Sequence, residues 1–350
     1  MTLRKSLEQL HAYTPGEQPA GTDVLKLNTN ENAYPPSPGV FQAMGNLSAD
    51  DLRRYPDPTG KALCRAIAEL HGIDPAQVLI TNGSDEALAL CTRCFCEHGG
   101  RVGYLQPSYS LYPVLSKIAE LEEVPFPLEV DFRWRIPEEV KVDFFFLTQP
   151  NAPTSLALDR KEIECLLERC PGEILVDEAY VDFAEGDMVD LMKSSDRILI
   201  SRTFSKSYSL AGLRLGYIMG PAPLIQALYK IKDSYNTDIF AQRIGLAAIQ
   251  DQSWMLQNVT AIRGTRSRVT RALAQEGFQV LPSQTNFLFA KVPEGESAQD
   301  LFEALRERQV YVRYFPGKLT GDFLRITIGT EEQMDRFLSE LERVRSDLSG

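Results

Sequence analysis

The chain has 350 residues, and its 48 acidic residues against 37 basic residues give a formal net charge of −11. This length can bury a large core and predicts two domains, or one large α/β domain with an appendage. The acidic balance argues against a surface that binds nucleic acid or an anionic membrane.

Targeting segments and membrane spans are not indicated by the sequence. The first thirteen residues mix charged and apolar side chains, and no apolar run approaches the length of a membrane span. We therefore expect a cytoplasmic protein with no membrane contact.

In the first 71 residues the pattern predicts a short helix over 3–12 and an irregular arm with a brief strand near Leu25. A stiff turn carrying Tyr55 follows. Residues Lys61–His71 then form an amphipathic helix, with Leu63, Ile67 and Leu70 predicted on its buried face.

A strand over 78–81 leads through Gly83 to Ser84 and Asp85 at the start of a helix. The free amides and the dipole of such a helix start suit a phosphate, although a simple capping role would explain the same residues.

Three cysteines crowd together further along this helix, at Cys91, Cys94 and Cys96. The run superficially resembles a metal site, but its spacing continues the helical core pattern, and a zinc knuckle would need a second pair of ligands. We therefore predict no metal site, and the scattered remaining cysteines do not suggest a disulfide framework.

Polar residues follow each of the next apolar runs, at 102–105, 144–148, 174–177 and 198–200. They are Tyr109, Asn151, Asp177 and the pair Ser205 and Lys206. Strands alternating with helices predict a mostly parallel, doubly wound sheet, whose polar strand ends meet in one crevice.

Lys206 and Arg214 have the chemistry of a cofactor site, because a lysine amine can form an imine with an aldehyde and a guanidinium can hold a phosphate. A lysine in a surface turn is the alternative. The chain has neither the G-x-G-x-x-G nor the G-x-x-x-x-G-K-[ST] pattern, which argues against a plain dehydrogenase or kinase.

In the last third of the chain the predicted helices and strands follow a different order. A long helical region runs from about residue 225 to 273, with Gly245 and Gly264 expected to interrupt it. A strand over 285–290, a helix over 297–308, strands over 310–314 and 323–329 and a final helix then predict a small α+β domain, completed by the N-terminal arm.

Taken together and in order, these motifs resemble the fold type I pyridoxal-phosphate aminotransferases and, within them, the histidinol-phosphate aminotransferases. The resemblance spans nearly the whole chain. It implies an N-terminal arm over 1–45, a large cofactor-binding domain over 46–255 with a seven-stranded type of sheet, and a small α+β domain over 256–350.

The resemblance also implies a role for each residue around the cofactor, pyridoxal 5'-phosphate. Lys206 would bind it covalently and move the substrate proton, and Asp177 would pair with its ring nitrogen. The other expected contacts are Asn151 and Tyr180 with the ring oxygen, Tyr109 with the ring face, and Ser84, Asp85, Ser205 and Arg214 with the phosphate.

In this family a tyrosine matching Tyr55 reaches the cofactor phosphate from the other subunit, so the resemblance implies a homodimer with active sites at the interface. Arg313 and Arg325 would hold the substrate phosphate, while Asn30 and Glu31 would lie near its imidazole end. Whether Asn32 or Tyr34 faces the substrate stays open.

The expected reaction is amino transfer between histidinol phosphate and 2-oxoglutarate, with glutamate as the other amino acid, as a step of histidine biosynthesis. Two alternatives use the same lysine and aspartate: an aromatic amino acid aminotransferase, and a lyase resembling threonine-phosphate decarboxylase. A non-catalytic regulator is disfavoured by the intact Lys206 and Asp177.

Overall fold

The computed structural model describes residues 10, 12–21 and 23–349, with the side chain of the last of these excepted. The helix predicted over 3–12 falls almost wholly outside them. No helix in the described part of the chain is long and apolar enough to cross a bilayer.

The strands of the described residues form one large and two small sheets. In chain order they are β1 (Leu25–Lys26), β2 (Val78–Thr81), β3 (Arg101–Gln106), β4 (Glu122–Pro127), β5 (Phe144–Thr148), β6 (Glu173–Asp177), β7 (Ile198–Thr203), β8 (Gly216–Met219), β9 (Gln279–Val280), β10 (Phe287–Lys291), β11 (Val310–Tyr311), β12 (Arg313–Tyr314) and β13 (Phe323–Thr327).

Helices cover these sheets. They are α1 (Pro38–Gly45), α2 (Ala49–Arg53), α3 (Lys61–His71), α4 (Gly83–Phe95), α5 (Leu111–Ile118), α6 (Arg160–Arg169), α7 (Val189–Lys193), α8 (Ala222–Ile231), α9 (Ile239–Gln250), α10 (Gln252–Gln275), α11 (Ala298–Glu307) and α12 (Glu331–Ser349).

The large sheet has seven strands in the order β2-β8-β7-β6-β5-β3-β4 within the described residues. Strand β8 is antiparallel to both neighbours, and all other pairs are parallel. This confirms the predicted α/β fold with a mostly parallel sheet. Strand β5 shows why the sequence predicts it: Phe144 and Phe146 pack into one buried apolar cluster and Phe145 and Leu147 into another, as in a sheet covered on both faces.

Register places the site residues side by side. Thr148 at the end of β5 pairs with Asp177 at the end of β6, and Asp177 pairs with Ser201 on β7. Because parallel strands end at the same edge of a sheet, their polar carboxyl ends meet there.

The smaller sheets lie in the C-terminal third and include the arm. Strands β12-β13-β10-β9 are antiparallel, and β1 pairs in parallel with β11. The single strand expected over 310–314 is wrong, because the chain switches partner at Val312: Val310 pairs with Leu25, whereas Arg313 pairs with Arg325.

The helical region after residue 222 also differs from expectation. Gly245 and Gly264 lie inside α9 and α10 and do not break them. The breaks come instead before Asp238 and at Asp251, whose side chains accept the amides of Ala241 and Trp254 and so cap new helices.

The buried face of α3 is narrower than the sequence pattern predicts. Leu70 is 41% exposed, so the buried face of α3 consists of Leu63 and Ile67 with their neighbours Cys64 and Ala68.

The large sheet lies inside the range 46–255, while α10 continues across residue 255. The domain boundaries therefore stay a prediction.

Candidate active site

A cavity of about 330 Å³ opens at the carboxyl ends of β5, β6 and β7 and is closed on its far side by residues of the small sheets. It brings together almost all the predicted site residues. Those that line it are Asn30, Glu31, Ser84, Asp85, Tyr109, Asp177, Tyr180, Ser205, Lys206, Arg214, Arg313 and Arg325. Asn151 and Tyr55 are the predicted residues that do not.

Lys206 lies in the turn after β7, with its amine inside the cavity. Its Nζ donates to the carbonyl of Thr29 at 3.0 Å and lies 5.7 Å from the centre of the Tyr180 ring. Burial, aided by the positive charge of Arg325, lowers the pKa of Lys206 to about 7. A large fraction of this amine is therefore uncharged, and nucleophilic, at neutral pH.

Asp177 ends β6 at the floor of the cavity. Its two carboxylate oxygens accept hydrogen bonds from the hydroxyls of Tyr112, at 3.0 Å, and Ser201, at 3.1 Å. Burial raises the pKa of Asp177 to about 6, and these two hydrogen bonds oppose that rise. The carboxylate is thus mostly ionised at neutral pH and suited to a cationic partner.

The start of α4 has the features of an anion-binding site. The residue before the helix, Asn82, makes no capping hydrogen bond with its side chain, so the first-turn amides stay available. Arg214 reaches this place and donates to Asp85 at 3.2 Å and to Ser205 Oγ at 3.5 Å.

Glycine keeps this place open. Gly83 has a φ of +78°, and a Cβ there would lie 2.8 Å from the guanidinium of Arg214. A Cβ on Gly216 would lie 2.9 Å from the amide nitrogen of Ser84. Glycine is therefore favoured at Gly83 by its positive φ, and at Gly216 because a Cβ would clash with the backbone at the start of α4.

Tyr109 and Asn151 lie on the β3 and β5 side of the site. The Tyr109 hydroxyl donates to Asp85 at 3.1 Å. Asn151 donates to the carbonyl of Pro107 at 3.1 Å and to Thr154 Oγ1 at 3.0 Å, while its Oδ1 is buried without a partner among the described residues. An unpartnered buried amide oxygen fits a site that receives a polar ligand.

Asn30 lines the cavity, and its side chain is held by Tyr180 and its neighbours. Its side chain donates to the Tyr180 hydroxyl at 2.9 Å, and Thr327 and Asn286 bond to its own polar groups. Its φ of 55° is a left-handed conformation that these bonds hold in place. A role for Asn30 beside the imidazole stays a prediction, whereas its contact with Tyr180 is one that the sequence did not suggest.

Arg313 and Arg325 lie on paired strands and both reach the cavity. Arg325 donates to the carbonyl of Asn28 at 2.7 Å, but its buried Nε has no partner in the described part of the chain. Its guanidinium lies 5.3 Å from the Phe287 ring centre and 5.2 Å from that of Phe315. Arg313 donates to the carbonyls of Thr14 and Pro15. Two guanidinium groups at one end of the cavity suit a doubly charged anion.

The rest of the arm supports this site. Glu31 forms an ion pair with Lys26 at 2.6 Å. Asn32 donates to the carbonyl of Lys206 at 2.9 Å, and neither Asn32 nor Tyr34 lines the cavity. The sequence did not point to this contact of Asn32 with the backbone of the lysine.

Tyr55 lies on the surface, outside the cavity of its own chain. Its side chain is 80% exposed and stacks on Tyr235 with ring centres 4.4 Å apart. Phe41 and Leu52 from the neighbouring helices α1 and α2 are also exposed apolar side chains. Several exposed apolar side chains thus occur between residues 41 and 55, and exposed apolar residues are enriched on surfaces that bind another protein.

No metal site is present among the residues that the structure describes. Cys91 is buried in α4, and its burial raises the pKa of the thiol well above the ordinary value. This thiol is therefore a core side chain and not a ligand.

Comparison with known proteins gives a family and close relatives. The family model for aminotransferases of class I and II matches residues 22–341. The chain is 39% identical over 346 residues to the histidinol-phosphate aminotransferase of Citrifermentans bemidjiense, covering 98% of this chain and 99% of that protein. It is 43% identical over 340 residues to histidinol-phosphate aminotransferase 1 of Bradyrhizobium diazoefficiens, covering 96% and 97%.

The fold agrees with a solved structure. The histidinol-phosphate aminotransferase from Sinorhizobium meliloti, determined in complex with pyridoxal-5'-phosphate, superimposes with a TM-score of 0.84 at 25% identity. The match covers 92% of this chain and 91% of the other.

Proposed function

Because the chain belongs to the aminotransferases of class I and II, we propose that it transfers an amino group between histidinol phosphate and 2-oxoglutarate with pyridoxal 5'-phosphate as cofactor. The full-length relatives named as histidinol-phosphate aminotransferases support this reaction. The structural observation that carries the substrate is the pair Arg313 and Arg325, since two guanidinium groups at one end of the cavity match a phosphate dianion.

The residues of the cavity fit the cofactor. Ser84, Asp85, Ser205 and Arg214 surround a helix start that suits its phosphate. Asn151 lies behind the cavity lining, and its Oδ1 is buried with no hydrogen-bond partner among the described residues. Tyr180 and Asn151 would hydrogen-bond the ring oxygen, and Tyr109 would pack against the ring face.

When bound, pyridoxal phosphate supplies a ring that accepts the electron pair left when the substrate α-carbon loses its proton. Asp177 holds a negative charge at the cavity floor and would keep the ring nitrogen protonated. The Lys206 amine would first hold the cofactor covalently and then, once released, take the α-proton and return it at the neighbouring carbon of the cofactor.

The substrate proposal is tested with three amino donors. With 2-oxoglutarate as acceptor, histidinol phosphate is expected to give glutamate with a kcat/KM at least about 100-fold above that for phenylalanine, because phenylalanine lacks the dianion that both arginines would bind. Turnover with phenylalanine alone would point to an aromatic aminotransferase. Release of carbon dioxide from threonine phosphate would point to a lyase.

The lowered pKa of Lys206 leads to a prediction about pH. The cofactor-free protein should gain covalently attached cofactor at a rate that rises between about pH 6 and pH 8 and then levels off, because the amine loses its proton across the pKa of about 7. The measurement is the absorbance change on mixing at each pH. A rate that still rises steeply above about pH 9 would show an ordinary lysine pKa.

We also propose a homodimer in which Tyr55 reaches the cofactor phosphate of the partner subunit. The exposure of Tyr55, and of Phe41 and Leu52 in the same part of the chain, supports this placement. Replacing Tyr55 by Phe is expected to weaken cofactor binding about 10-fold, by loss of a hydrogen bond to a charged group. The matched control Tyr235→Phe should leave it unchanged. Full activity at concentrations where sedimentation shows only monomers would contradict the dimer.

A cytoplasmic location completes the proposal. The six cysteines are free thiols, which is typical of a reducing compartment. A chain found to be active only after oxidation of these thiols would contradict this location.

A further inference from the structure

Tyr112 lies beneath the cavity and was not among the residues that the sequence pointed to. It is in the first turn of α5, it is fully buried, and it lies in the apolar cluster on one face of the large sheet. Its ring stacks on Phe146, with centres 4.5 Å apart, and meets the Tyr109 ring edge-on at 5.7 Å. A phenylalanine would fill this space equally well, so the hydroxyl needs an explanation.

The hydroxyl of Tyr112 makes two hydrogen bonds, to Asp177 Oδ2 at 3.0 Å and to Thr148 Oγ1 at 2.6 Å. An ionised carboxylate only accepts, so the single proton of Tyr112 goes to Asp177. The proton between Tyr112 and Thr148 must then come from Thr148. In this row of hydrogen bonds each hydroxyl donates to the next group: Thr148 donates to Tyr112, and Tyr112 donates to Asp177.

Ser201 completes the arrangement by donating to the other carboxylate oxygen at 3.1 Å. Both oxygens of Asp177 are therefore held by neutral hydroxyl donors from different elements, Tyr112 on α5 and Ser201 on β7. Neutral donors orient a carboxylate and leave it with a full negative charge, whereas a cation would neutralise it.

We propose that Tyr112 is a positioning residue of the amino-transfer site, which aims the Asp177 carboxylate at the ring nitrogen of the cofactor and maintains its charge. This role rests on the proposed function only for the identity of the cofactor. Tyr112 does not itself line the cavity, so it acts through Asp177.

The test uses Tyr112→Phe and measures binding as well as rate. Pyridoxal phosphate and its 1-deaza analogue, in which carbon replaces the ring nitrogen, are titrated into the cofactor-free protein. The wild-type protein should prefer pyridoxal phosphate, and the variant should lose about 10- to 100-fold of that preference, the value of a hydrogen bond to a charged group. Affinity for the deaza analogue should stay unchanged, and kcat should fall by a similar factor with KM nearly constant.

Two further variants make the result specific. Tyr104→Phe is the matched control, since Tyr104 is a buried neighbour whose hydroxyl donates to Glu123 away from the cavity. Thr148→Val removes the first donor of this row of hydrogen bonds without changing the aromatic packing, and a smaller loss of the same preference is expected. It also keeps the proposal testable if Tyr112→Phe fails to fold.

An unchanged preference in both Tyr112→Phe and Thr148→Val would overturn the positioning role. Equal losses of affinity for both cofactor forms would also overturn it, because they would indicate a general packing defect. If the wild-type protein showed the preference but did not transfer the amino group of histidinol phosphate, the proposed substrate would fail while the role of Tyr112 would stand.

Discussion

Replacing Lys206 by alanine is expected to lower kcat by at least about 10⁴-fold, because in the proposed reaction one amine carries both the covalent attachment and the proton transfer. No other lysine lines the cavity in the described residues. The variant should still bind the cofactor without a covalent bond, since the phosphate site at α4 and Arg214 is unchanged. Stopped-flow absorbance and product assays measure both results.

Lys161, an exposed lysine in the first turn of α6, provides the matched control. Lys161→Ala should keep the wild-type kcat and the wild-type absorbance of the bound cofactor. If Lys206→Ala retained full turnover, the role assigned to Lys206 would be wrong. If it lost all affinity for the cofactor, its side chain would instead be required to maintain the cavity.

Replacing Asp177 by asparagine is expected to lower kcat about 10³-fold, since the substitution removes the buried negative charge that we propose as the partner of the ring nitrogen. The side chain keeps its size, but its new amide group must face a hydroxyl, Tyr112 or Ser201, that now donates to a carboxylate oxygen. One of these contacts must therefore rearrange. Steady-state kinetics and the absorbance of the bound cofactor report the effect.

Asp190→Asn is the control for this change, because Asp190 is an exposed aspartate on α7 far from the cavity lining. It should leave kcat within about 2-fold of wild type, as expected for an exposed surface substitution. A kcat for Asp177→Asn equally close to wild type would contradict a charged partner for the ring nitrogen.

The sequence predicted the central strands of the large sheet because their signals are local, whereas it did not predict the edge strand β4, whose side chains are exposed or half-buried. Strand β5 is a continuous apolar run, and the polar residues that end β5, β6 and β7 are adjacent to such runs in the chain. Parallel pairing then brings them to one edge without further information. Lys206, Asp177 and Arg214 could be placed in one crevice for this reason.

What the sequence did not show depends on distant partners. The chain changes sheets at Val312 because the residues on either side of it pair with different strands. Val310 pairs with Leu25 on β1, whereas Arg313 pairs with Arg325 on β13. Gly245 does not break α9, and a Cβ there would meet Leu215 at 2.3 Å, so close packing and not flexibility explains this glycine. For Tyr112 a signal existed: it follows Tyr109 by three residues at a helix start, which brings both rings to one side.

The two carbonyls that hold Arg325 and Lys206 belong to consecutive residues, Asn28 and Thr29. Consecutive Cα atoms are separated by about 3.8 Å in any trans chain, so covalent geometry fixes the distance between the two residues that these side chains contact. A shift of these two residues would therefore move the partner of the Arg325 guanidinium and the partner of the Lys206 amine together, so both ends of the cavity depend on the position of one short piece of the N-terminal arm.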